Sequence, residues 1–393
     1  MTEALVALPA SAETRPHPWI RGPVWDSAWM LSALWLLPLV WILSLKGQDP
    51  TVGPLDVLYF ALTALFWLGH RIGSTWLAYA TTAYRPLLRA EPLRFLVAPA
   101  AIAVCCFAIL LPADDALPWS RTERVMVLAI LDYLFVTYHF AAQHFGALSL
   151  YRGRAGSAGT QRIRHLDRLY ALAIGGVLVF VAEIVAGSVA FIGVWVDPWL
   201  NPAWVASAAV PIANVATVIV IASTLGMLVL EAHAERPSLP RALYFVGLGA
   251  MVVAAFYARM PFVFIVLWTA QHWIVATGLT MLVAEGDPEP ARSGWDSLFH
   301  AINRRPWAML LALTIFSVLL LPIMEVEAAP AGGPYYAERI FGAFAEALRT
   351  SSWVPALVAL GFTTGFCHYW LDRAVYRLSD ARVRVAARGL LRA

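Results

Sequence analysis

Residues 125–150, VMVLAILDYLFVTYHFAAQHFGALSL, decide how this chain must fold. Across the whole run the single formal charge is Asp132. A helix needs about 20 mostly apolar residues to cross a hydrocarbon core about 30 Å thick, and this run exceeds that length. The rest of the chain has the same character. Of 393 residues, 60% are apolar and 13% charged, and the mean hydropathy is +0.68. Ordinary soluble domains are about 25% charged, so a chain this poor in charge cannot cover a water-facing surface. The same figures exclude a disordered chain. A net charge of +3 offers no basic face for nucleic acid. Three cysteines, two of them the adjacent Cys105 and Cys106, rule out a disulfide framework.

Ten such runs are found, at roughly 27–45, 57–83, 93–111, 125–150, 168–192, 204–230, 241–258, 261–284, 307–324 and 353–376. The first 25 residues hold charges of both signs and no apolar core, so no cleavable leader is expected and the first span stays as an anchor. With the N-terminus inside, twenty-one of the 28 basic residues fall on the inner segments and six on the outer ones, with Arg71 within a span. The positive-inside rule thus predicts a bacterial-type inner (cytoplasmic) membrane protein with both termini cytoplasmic. The expected fold is an all-α polytopic bundle, one membrane-embedded domain over 1–393. Residues 325–352 contain an amphipathic stretch expected to lie on the outer surface, and 193–203 read as an interfacial turn. The pairs Tyr84-Arg85, Tyr151-Arg152 and Tyr376-Arg377 read as interfacial anchors.

Nine histidines occur, and five lie within spans: His70 in the second, His139 and His144 in the fourth, His272 in the eighth, His368 in the tenth. All four spans are even-numbered and run in the same direction. At 1.5 Å rise per residue, these side chains share a slab about 10–15 Å thick in the inner half of the bilayer. Ionisable groups at such depth are costly and face a cavity or one another. Imidazole is the commonest metal ligand, and histidines converging from several helices of a bundle build metal sites. His70, His139, His144, His272 and His368 are therefore the expected ligands. Gln143 shares a face with His139, whereas His144 lies about 140° further round, so it need not bind the same atom. Asp372, one turn beyond His368, is placed to ligate or to orient the imidazole. The quartet Ala142-Gln143-His144-Phe145 recurs as Ala270-Gln271-His272-Trp273. Asp132 and Glu183 are further intramembrane carboxylates, open to a path or a helix–helix role. Arg71 is expected to reach the inner interface or to pair with Asp372.

His144-Phe145-Gly146-Ala147-Leu148, and His368-Tyr369-Trp370-Leu371-Asp372 followed by Arg377, resemble segments of the bacterial Brp/Blh-type membrane β-carotene dioxygenases. The order His70, His144, His272, then His368 with Asp372, is similar to the order of histidine spans in that family. The resemblance covers four short windows. It implies that those four histidines hold iron and that O2 is used to cleave or oxidise a lipid-soluble molecule.

These residues are compatible with three functions. The first is a non-haem iron oxygenase or related oxidoreductase with one or two ions, fed an apolar substrate and O2 from among the membrane lipids. Here His139 binds a second ion or acts with Asp372 in catalysis. Copper and haem stay open as alternatives to iron. The second is a haem electron-transfer protein with paired axial histidines. The third is a metal-ion or proton transporter, which needs a polar path to both sides.

Overall fold

A computed structural model of the chain describes residues 17–45, 53–156, 161–186, 202–258, 261–288, 294–326 and 335–392. Among the described residues, ten helices are long and apolar enough to cross a membrane. They are α1 (Pro23–Ser44), α2 (Pro54–Ala80), α3 (Leu93–Leu110), α4 (Arg121–Arg154), α5 (Gln161–Ala182), α6 (Ser207–Ala232), α7 (Leu239–Tyr257), α8 (Val266–Glu285), α9 (Pro306–Met324) and α10 (Val354–Val375). No strand occurs among the described residues. All ten expected spans are present. The largest shift is in α5, which starts near 161 rather than 168, because Asp167 is drawn into the bundle and carries the preceding turn with it. The turn expected at 193–203 and the side chain of Glu183 lie outside the described residues.

Helix α8 is the axis of the molecule: 94% of its apolar window is buried. Helices α1, α2, α7 and α9 pack around it, and α10 packs against α2, α3 and α4. A bundle of this kind leaves the outer helices facing lipid, which explains exposed apolar side chains such as Leu134, Phe135, Val218 and Leu319. Helix α4 begins with a capping box, in which the Glu123 carboxylate accepts from Ser120 N at 2.7 Å and Glu123 N donates to Ser120 Oγ. Its 34 residues span about 51 Å and project beyond the hydrocarbon core.

Three π-helical turns interrupt the spans, at Thr63–Trp67, Leu93–Val97 and Ala173–Val177. An inserted residue rotates the succeeding turns about the helix axis, and π turns are frequent at functional sites. His70 comes three residues after the first of them.

Buried polar networks lock both ends. At the Arg-rich end Asp167 is paired with Arg152 and Arg241, and Arg241 also with Glu231, tying α4, α5, α6 and α7 together. Sequence alone leaves these residues in solvated loops. Tyr84 and Tyr151, expected as interfacial anchors, are fully buried instead, and Tyr84 donates its hydroxyl to the Val375 carbonyl at 2.6 Å. Gly286 and Gly389 touch backbone to backbone with no room for a Cβ, and Arg388 Nε donates to the Gly286 carbonyl at 2.9 Å. The C-terminal segment thereby seals the end of α8. At the opposite end the stretch expected to be amphipathic forms two short helices, Ala337–Phe341 and Ala343–Arg349. Tyr336 and Arg339 bond Asp56 at 2.9 and 2.7 Å, and Ala337 N donates to Glu325 at 2.6 Å. Burial pushes the Glu325 carboxyl up to about 7, against two backbone N–H donors that pull it down.

Candidate metal centre

Four imidazoles from four helices meet in the interior: His70 of α2, His139 of α4, His272 of α8 and His368 of α10, all buried. His70 stands 5.1 Å from His272 and 4.8 Å from His368, ring centre to ring centre. His139 stands 4.9 Å from His272 and 4.8 Å from His368. His272 and His368 are 6.2 Å apart. A metal about 2.1 Å from an imidazole nitrogen lies about 3.2 Å from the ring centre, so opposed rings on one ion stand about 6.4 Å apart and adjacent ones about 4.5–5.2 Å. The pairs that His70 and His139 each make with His272 and His368 fall in the adjacent range, and His272 with His368 near the opposed one.

The ligand atoms fall into two overlapping groups that share His368. One ligand atom each from His70, His272 and His368 lies within 4.8 Å of the others, and so does one each from His139, His368 and Asp372. His139 Nε2 and both ring nitrogens of His368 are buried without a hydrogen-bond partner. Buried polar atoms are rarely left so, since each costs about 1–3 kcal/mol. Asp372 faces His139 Nε2 at 3.6 Å and His368 Nδ1 at 3.4 Å.

Aromatic rings enclose the cluster. Phe140 lies 4.3 Å from the His272 ring, Trp273 stacks on His70 at 5.8 Å, and Tyr369 lies 5.0 Å from His139. This dry wall keeps the imidazoles in place and excludes competing water ligands.

The repeated Ala-Gln-His-aromatic quartets act on each other. Gln143, which precedes His144, accepts at Oε1 from His272 Nδ1 and donates Nε2 to the His272 carbonyl at 3.2 Å. Gln271, which precedes His272, lies beside Tyr244, whose hydroxyl is 2.7 Å from His144 Nδ1. Gln143 thereby selects the His272 tautomer that leaves Nε2 free for a metal. Tyr244 carries no motif of its own, and sequence reasoning missed it.

His144, expected among the ligands, stands in neither group of ligand atoms. It packs on Gly175, where a Cβ would come within 2.6 Å of His144 Cδ2, and its Nδ1 is engaged by Tyr244. The physical reason is the 140° rotation between His139 and His144, which sends the two rings to opposite sides of α4. Arg71, expected to reach the inner interface or to pair with Asp372, places its guanidinium over the Trp67 ring at 5.0 Å and flanks Gly365 from the same side as the Asp132 carboxylate.

Comparison with protein-family models, with curated proteins and with solved structures finds no match. The chain is a multi-span membrane protein with buried histidine groups that could hold a metal.

Proposed function

We propose that this protein is a membrane-embedded, metal-dependent oxidoreductase: a non-haem iron oxygenase acting on a lipid-soluble substrate with O2, in a bacterial-type inner membrane. The observation that carries the reading is the buried cluster of four imidazoles with its orphaned ring nitrogens. His70, His139, His272 and His368 would hold the ion, a neutral nitrogen set that suits iron, copper or zinc. The resemblance of four short windows, at His70, His144, His272 and His368–Asp372, to the Brp/Blh-type dioxygenases favours iron, although it implies His144 as a ligand where the cluster has His139. Iron with a free coordination position would supply O2 activation. Asp372 orients His139 and His368, is the proton acceptor nearest to them, and with those two offers room for a second ion.

A haem reading is disfavoured by the same distances. A porphyrin between His272 and His368 needs the plane midway between them clear, and His70 and His139 stand in it. The transporter reading needs a polar path to both sides, whereas Phe140 and Trp273 close directly over the cluster.

The test is elemental analysis and an absorption spectrum of the full chain purified in detergent. One or two iron ions per chain without a Soret band are expected. A Soret band, or a folded protein that neither carries nor takes up metal, overturns the proposal.

A further inference from the structure

The proposed centre is enclosed by protein, so an apolar substrate must reach it through a helix–helix seam. Small clefts lie at two such seams. One lies between α1 and α7, lined by Leu34, Leu243 and Gly247, and ends on Gln271 and on Tyr244, whose hydroxyl braces His144. The other lies between α4 and α5. Its lips are the half-buried Tyr133, Val136, Thr137 and Phe180, and its floor is Phe140 and Trp268, both buried. Phe140 is the ring that lies 4.3 Å from His272. One side chain therefore separates the floor of this cleft from a proposed metal ligand.

The chemistry of the walls is mostly apolar. The Thr137 hydroxyl donates its proton to the Tyr133 carbonyl at 2.9 Å, inside its own helix, so the Tyr133 hydroxyl and the Trp268 indole are the few polar groups of a mostly apolar lining. Neighbouring Leu131, Leu134 and Phe135 on α4 and Val177 on α5 are exposed apolar side chains, which puts the mouth in contact with lipid. The cleft exists because of Gly175 and Gly176. They occupy the π-helical turn of α5, and a Cβ on Gly176 would already lie 3.2 Å from Ala141 Cβ and from the Thr137 carbonyl. Such π turns recur at helix kinks and at functional sites.

From these observations we infer that the α4–α5 cleft admits a slender, lipid-soluble apolar molecule from the bilayer, with Phe140 as the gate in front of the four histidines. The inference rests on the metal-centre reading above. It predicts that Phe140 and Trp268 are reachable from lipid although both are buried.

The experiment uses the full chain in phosphatidylcholine–phosphatidylglycerol vesicles with a small aryl diazirine dissolved in the bilayer. After photolysis, peptide mass spectrometry reads labelling at Phe140 and Trp268. Trp273, as deeply buried but packed between His70 and Tyr59, is the internal reference. Labelling of Phe140 and Trp268 several-fold above Trp273 is expected. Val136→Trp, which plugs the mouth, should lower it several-fold, and Phe180→Ala should raise it. Labelling equal to that of Trp273, or indifferent to both variants, overturns the inference. Metal content measured on the same samples separates the two ideas. Metal bound without labelling sinks the cleft alone, and labelling without any metal sinks the oxygenase reading alone.

Discussion

Removing Gln143 should loosen the metal without touching a ligand. Gln143→Leu deletes the acceptor for His272 Nδ1 and the donor to the His272 carbonyl. Each hydrogen bond contributes about 0.5–1.5 kcal/mol, and the Nδ1–H left buried and unpaired costs about 1–3 kcal/mol. Part of that penalty is relieved when the ring turns over or swings, and either movement withdraws Nε2 from the centre. Loss of such an outer partner typically lowers metal affinity 10–100-fold, which is about 1.4–2.7 kcal/mol and the same order as the bond estimate. The assay is competition with a chelator of known affinity, in detergent, on wild type and variant. Gln143→Glu retains the acceptor for Nδ1 and should lose much less. An affinity for Gln143→Leu within twofold of wild type, with the variant folded, would refute the claim that Gln143 sets the His272 tautomer.

Other outcomes are expected from the same geometry. His368→Ala and His272→Ala should each abolish metal retention, whereas His144→Ala should keep metal within twofold of wild type and lower the unfolding midpoint. Elemental analysis with a thermal scan reads both effects. Gly175→Val drives a side chain into the His144 ring, an overpacking cost of about 1–3 kcal/mol, and should reduce detergent stability by that order. Asp167→Ala leaves Arg152 and Arg241 buried with their shared counter-ion gone, at a cost of about 3–5 kcal/mol; expression level and midpoint check it. Glu325, held at about 7 by burial, has a folded-state value above its unfolded one. Its contribution is therefore fully present below about pH 4.5 and lost as pH rises through 7, on the order of 3 kcal/mol in all. Wild type should lose stability between pH 5 and 8 relative to Glu325→Gln, and identical pH slopes for the two proteins would contradict the assignment.

Much of this was legible in residue order. A run such as 125–150 has no soluble solution, and helix is the structure that lets a single chain satisfy its backbone in lipid. Counting such runs gives the ten spans. The common direction of the second, fourth, eighth and tenth spans comes from parity, and the depth of the histidines from helix rise. Asp372 was placed one turn from His368 by spacing alone. The buried ring of Arg152, Asp167, Arg241 and Glu231 was not legible, because charged residues near span ends read as solvated until their partners on other helices are known. The roles of Tyr244 and Phe140 were hidden for the same reason.

The chain's own order thus determined an all-helical membrane bundle and a shared layer of imidazoles, since hydropathy and helical rise are local properties. It could not decide which imidazoles face one another. That depends on the rotation of each helix about its axis, which the packing of α2 on α8, and of α10 on α2 and α4, sets. A turn of about 140° between His139 and His144 was enough to place one in the cluster and send the other to Tyr244.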